Sequence, residues 1–145
     1  MSVLDQVIEK YPNEVKIVFK NFPITSHKYS EQAARAALAA GRQGKFWEFH
    51  DALFLHYKLL NDSKVQDIVA ELNLDKDKFA KDWEDPGIAA KVKQDLNEGV
   101  KAGVRGVPAV FINGRSLKKR DLGGFSNAID AELKKIATAK AKTKQ

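Results

Sequence analysis

The chain has 145 residues, 25 of them basic and 19 acidic, for a net charge of +6, and it contains no cysteine. That length is enough for one domain with one core, and the missing thiols exclude a structural disulfide, a cysteine nucleophile and a thiolate metal site. Five lysines after Leu133 (Lys134, Lys135, Lys140, Lys142 and Lys144) leave 20 basic against 19 acidic residues in the rest, so the body is nearly neutral and gives no nucleic-acid signature.

In chain order, Val3, Leu4, Val7, Ile8 and Tyr11 recur at helical spacing and Pro12-Asn13 stops them, which predicts a short amphipathic helix. Met1 to Asp5 has neither a basic nor an apolar lead-in, so no signal peptide is expected in the chain as given. Val15-Lys16-Ile17-Val18-Phe19 is β-branched and aromatic and predicts a strand ended by Phe22-Pro23. A loop through His27 leads to an alanine-rich helix from Ser30 to Ala40, with Gly41 suited to the position just past its end.

Phe46, Phe49, His50, Leu53, Phe54 and Tyr57 predict the core stripe of the next helix, with Trp47 flanking it. Ser63 with Gln66 fits a capping box ahead of Val65, Ile68, Val69 and Leu72. Asp75 is placed to cap a short helix bearing Phe79 and Trp83, and Asp85-Pro86 to start another that carries Ile88, Val92, Leu96 and Val100 and ends at Gly103. Beyond it, Ala109-Val110-Phe111-Ile112, the turn Asn113-Gly114 and Arg115-Ser116-Leu117 predict a hairpin. Gly123-Gly124 reads as a turn before a last amphipathic helix through Phe125, Ile129, Leu133 and Ile136, whose lysine-rich end is expected to fray into solvent.

Two segments carry a resemblance. One is Phe22-Pro23-Ile24, His27, the alanine-rich helix and then Gln43 through Phe54; the other is Gly103-Val104-Arg105-Gly106-Val107-Pro108 running into Ala109 through Gly114. Together they resemble the DsbA-like branch of the thioredoxin superfamily, and the resemblance covers nearly the whole chain, from Val3 to about Ile136. It implies an α/β thioredoxin-like fold with a DsbA-type helical insertion at about residues 30–102; length gives a single domain over 1–145, and the lysines after Leu133 a basic tail at about 134–145. The family acts by thiol–disulfide exchange on polypeptides in periplasmic or other extracytoplasmic compartments, without a cofactor.

In that family a first strand and a Cys-x-x-Cys motif open the fold, the helix N-terminus lowering a thiolate pKa. Both are absent here, and residues 3–11 match the stretch that follows the motif. The chain is therefore expected to be a truncated or engineered derivative, redox-inactive, with no catalytic residue of its own. The resemblance further implies that the Val107–Pro108 bond is cis, that Arg105, Gly106, Val107 and Pro108 form a loop whose main chain holds an extended substrate, and that His27 is a possible neighbour of the missing thiols.

Two alternatives stay open: a non-catalytic peptide- or protein-binding module using that loop, or an assembly whose copies share strands across the gap, a homo-oligomer. No metal is expected, since His50 and His56 are six apart and share no helical face. Asp82, Glu84 and Asp85 read as caps and solvated faces rather than an acid–base pair, and neither a nucleic-acid partner nor a membrane span is expected. In an insulin-reduction or dithiol-oxidation assay the chain should run at the rate of the buffer blank; activity that survives repurification would refute this.

Overall fold

The computed structural model describes residues 1–144. They fall into two compact units, a helical one over Lys20–Gly103 and a second made of Met1–Phe19 with the chain from Val104 onward.

The helical unit is built on α2 (Ser30–Gly41), α3 (Phe46–Leu55), α4 (Asp62–Glu71), α5 (Lys76–Trp83) and α6 (Pro86–Lys101), with a 3-10 turn at Tyr57–Leu59. Ala36, Ala37, Ala39 and Ala40 of α2 are buried, and against them lie Phe49 and Leu53 of α3, Val65, Ile68 and Val69 of α4, Phe79 and Trp83 of α5 and Ile88 of α6. The starts of three of these helices follow from local chemistry: side chains of Asn61, Asp75 and Asp85 accept from the amides of Lys64, Lys78 and Gly87, which satisfies donors that the helix itself cannot.

Two polar clamps hold the unit at its edges. Arg42 bridges Asp82 and Asp85 at 2.6 and 2.8 Å. Asp95, on the apolar face of α6, is only 1% exposed. One of its carboxylate oxygens accepts from the backbone N–H of Asn21 at 3.0 Å and from the Asn21 side chain at 2.9 Å. The other accepts from Lys91 at 2.6 Å. Beside this clamp Phe22 packs on Gly99, where a Cβ would stand 2.7 Å from its ring.

The second unit contains α1 (Val3–Lys10), a hairpin of β1 (Phe111–Ile112) and β2 (Arg115–Ser116), and α7 (Leu122–Thr143). A capping box opens α1: Ser2 Oγ accepts from the Asp5 amide at 3.2 Å while the Asp5 carboxylate accepts from the Ser2 amide at 2.8 Å. Val7 and Tyr11 bury against Phe125 and Ile129 of α7. Tyr11 donates to Asp130 at 2.7 Å and Lys10 to Ser126 at 2.9 Å, so the helices are fixed in register by polar bonds as well. The hairpin pairs Phe111 with Ser116 and Ile112 with Arg115, antiparallel, around Asn113 and Gly114 at φ +46° and +79°. This is the double positive-φ turn that Asn-Gly favours.

Several expectations need correction. Val15–Phe19 is not a strand: the sheet consists of β1 and β2. Residues 15–18 still alternate between half-buried (Val15, Ile17) and exposed (Lys16, Val18), as a strand would. Lys16, Ile17 and Val18 make no hydrogen bond among the described residues, because no ladder partner lies alongside. The cap of α4 is Asn61, not Ser63, which falls inside the helix.

Gly41 is the last helical residue of α2, and the left-handed position is Gly44, at φ +74°. Gly123 and Gly124 belong to the first turn of α7 rather than to a turn before it, with Asp121 as the cap. Glycine is required there for space, since a Cβ on Gly124 would sit 2.0 Å from the Lys119 carbonyl oxygen. The α3 stripe is narrower than its spacing suggests: Phe49 and Leu53 are buried, while Phe54 and Tyr57 are exposed, as is Val100 on α6. The lysine-rich end stays helical through Thr143.

The Asp95 clamp makes stability depend on pH. Burial alone would raise its pKa, but the Asn21 and Lys91 hydrogen bonds outweigh burial and hold it below the ordinary carboxylate value. A group with a depressed folded pKa gives stability that is present above its unfolded pKa, about 4, and lost as pH falls through the folded value. The melting temperature should therefore drop below about pH 4, and part of that drop should vanish in Asp95→Ala. At neutral pH the same variant should lose about 1–3 kcal/mol, because Asn21 donors are left unpaired in a buried site. Parallel pH–melting curves for variant and parent would count against the clamp.

Candidate functional site

The hairpin positions the loop that precedes it. The Leu117 amide donates to the Val110 carbonyl at 2.8 Å, extending the β1–β2 pairing by one bond toward the loop. The Arg120 guanidinium donates to the Pro108 carbonyl and so ties down the loop's end. Upstream, Arg105, Gly106, Val107 and Pro108 are all exposed and bend at 106–108, and the Val107–Pro108 peptide bond is cis. The backbone groups of Arg105, Gly106 and Val107 make no hydrogen bond among the described residues. A loop anchored at one end, with free amide and carbonyl groups along it, can pair with the main chain of an extended peptide.

His27 belongs to the helical unit, in the turn ahead of α2. Its amide donates to the Ile24 carbonyl and its carbonyl accepts from Ser30, both at 3.0 Å, while Ser30 Oγ accepts from the Ile24 amide at 3.0 Å. Its ring is exposed. The four loop residues are thus brought together by contiguity, and His27 sits in a separately packed turn.

Elsewhere the residues weighed from sequence have structural employment. His50 is half-buried, 3.0 Å from Asp51, and its ring meets that of Phe54 at a tilt of 47° with centroids 4.7 Å apart. Asp85 caps α6, and its pKa is held down by the Arg42 guanidinium and the Gly87 amide. Tyr29, partly buried and bonded to Asp62, has its phenol pKa pushed up, burial being the largest cause. No group of three or more metal-ligating side chains converges among the described residues.

Sequence reasoning missed Arg120 and Asp95. The first stood in a basic run, Arg115 to Arg120, with no assigned task. The second left a signal, an acid three residues after Val92 on the apolar side of α6.

Comparison with known proteins bears on this geometry. A thioredoxin-like oxidoreductase from Silicibacter pomeroyi superposes with a TM-score of 0.77 at 29% identity, covering 91% of this chain and 76% of that one. The alpha-DsbA1 of Wolbachia pipientis, solved in a cysteine-substituted form, superposes with a TM-score of 0.64 at 24% identity, over 89% of this chain and 74% of that one, and shares the fold. The Na(+)/H(+) antiporter NhaA 3 of Salinispora tropica is 37% identical over 102 residues, 70% of this chain. NhaA of Herminiimonas arsenicoxydans is 31% identical over 114 residues, 79% of this chain.

The chain spans only 16% and 18% of those two proteins, so their names describe far more than the stretch it matches. No described helix is long and apolar enough to cross a membrane. The family model described as a DSBA-like thioredoxin domain matches residues 1–130, and the chain belongs to that family.

Proposed function

We propose that this chain is a thiol-free DsbA-like module that binds extended polypeptide at the loop Arg105-Gly106-Val107-Pro108 and performs no exchange itself. The observation that carries the reading is the loop: exposed, anchored by Arg120 at Pro108, and with unbonded main-chain groups from Arg105 to Val107. The absence of cysteine removes the nucleophile and leaving group that exchange needs. Any thiol chemistry that accompanies it comes from residues outside this sequence. Family membership supports an extracytoplasmic setting and a polypeptide partner.

A second reading rests on a different observation, the unpaired stretch Lys16-Ile17-Val18 with its alternating burial. In this reading the chain is a derivative lacking one strand and the motif that goes with it, and copies share strands to fill the ladder, because unpaired strand-like edges recruit partners.

One pair of measurements tests both. Fluorescence anisotropy with a labelled unstructured peptide should show saturable binding that weakens about tenfold in Arg120→Ala, the scale of one lost charge-assisted hydrogen bond. Absence of binding at hundreds of micromolar peptide would overturn the first reading. Light scattering after size exclusion at tens of micromolar protein should report a dimer or larger if strands are shared, and a strictly monomeric mass would rule that reading out.

A further inference from the structure

The charge of this protein is unevenly divided. Lys20–Gly103 contains 13 basic and 13 acidic residues and is neutral. Met1–Phe19 has two basic and three acidic. From Val104 to Lys144 there are ten basic residues and three acidic ones, so the whole net charge of +6 arises in the second unit.

The three acids are already engaged. Asp130 accepts from Tyr11 at 2.7 Å, Asp121 caps α7, and Glu132 pairs with Lys135 at 2.7 Å. Lys134, Lys140, Lys142 and Lys144 have no ion-pair partner among the described residues. The first three ride on a helix that runs to Thr143 and Lys144 caps its end, with every residue from Lys134 to Lys144 exposed, although the last buried residue of α7 is Ile129. Ten helical residues beyond Leu133 extend about 15 Å. Lys140 and Lys144, four apart, repel each other on a solvated helix.

We propose that the end of α7, from Lys134 to Lys144, is a docking element for an anionic phospholipid surface. Charge complementarity selects the anion, and the other residues on the segment select its kind. Between the lysines stand alanines, threonines and one exposed apolar side chain, Ile136, at 44%. There is no aromatic ring to stack on a base and no arginine to fork onto a base edge or a single phosphate. Lysine stems lie along the helix while their ammonium groups reach headgroup phosphates, and Ile136 adds a shallow apolar contact. Such binding is reversible and salt-sensitive, because no apolar face is large enough to hold the helix in the acyl region. It is independent of the peptide reading above.

The test uses the whole chain with vesicles of phosphatidylcholine containing 30% phosphatidylglycerol against vesicles of phosphatidylcholine alone, by cosedimentation. The chain should pellet with the anionic vesicles at low salt, stay in solution with the neutral ones, and be released at high salt. Each surface lysine contributes about fivefold. The triple variant Lys134→Gln, Lys140→Gln, Lys142→Gln should therefore bind about 100-fold more weakly.

A control triple on α5, Lys76→Gln, Lys78→Gln, Lys81→Gln, carries the same net charge and should bind as the parent does. All six side chains are exposed, so unchanged melting temperatures are expected for both variants. Equal partition into neutral vesicles, equal loss in the two triples, or tighter binding to a duplex oligonucleotide than to anionic vesicles at the same salt would each overturn the proposal.

Discussion

Four alanines decide how the helical unit is put together. Ala36, Ala37, Ala39 and Ala40 on α2 are buried to between 0 and 4% exposure, and helices α3, α4, α5 and α6 all reach that helix. A helix can be surrounded so closely only if its side chains are small, and alanine also loses no rotamer freedom in the process. The large side chains of the core then come from the neighbours: Phe49 and Phe79 stack with ring centroids 5.5 Å apart, and Phe79 meets Trp83 at 5.7 Å. Any larger residue at the alanine positions would push these rings out of a densely packed interior.

The polar clamps do a different job from the alanines. Asp95 and Asn21 fasten the chain entering the helical unit to α6, and Arg42 fastens the end of α2 to the junction of α5 and α6. Asp82 is buried, and one of its oxygens accepts from Arg42 while the other has no hydrogen-bond partner among the described residues. Apolar packing has little direction, so it cannot by itself fix where a connecting segment lies; a carboxylate taking several aimed hydrogen bonds can. In the second unit, Tyr11 to Asp130 and Lys10 to Ser126 set the register of α1 on α7 in the same way.

Function in this chain is separated from redox chemistry by composition alone. The loop proposed to bind peptide lies just before the hairpin, and it depends on elements around it rather than on a reactive side chain. The Asn113-Gly114 turn, the β1–β2 pairing and Arg120 on the Pro108 carbonyl hold a stretch of main chain open to solvent. In the proposed reading that open main chain is where an extended peptide pairs, and the chain itself supplies no thiol to exchange electrons with it.

Much of this was legible in the sequence, because it follows from local chemistry. The periodicity of Ile88 and Val92, the caps Asp75 and Asp85, the Asn-Gly hairpin and the missing cysteines each act within a few residues, and sequence neighbours settle them. Features that need a distant partner were not legible. Val15–Phe19 has the composition of a strand, but a strand exists only where another backbone completes its ladder, and among the described residues the sheet pairs β1 with β2 and leaves Lys16, Ile17 and Val18 without a hydrogen bond. Phe54 follows the core spacing of α3 yet faces solvent, because the buried face of α3 is the narrow one of Phe49 and Leu53, and Tyr57, which continues the spacing, lies past the helix in an exposed 3-10 turn. Gly124 looks like a turn residue and is instead a helical position whose neighbour, the Lys119 carbonyl, leaves no room for a Cβ. Propensity, capping and turn geometry belong to the chain itself, whereas pairing, burial and close approach belong to whatever the tertiary structure brings beside it.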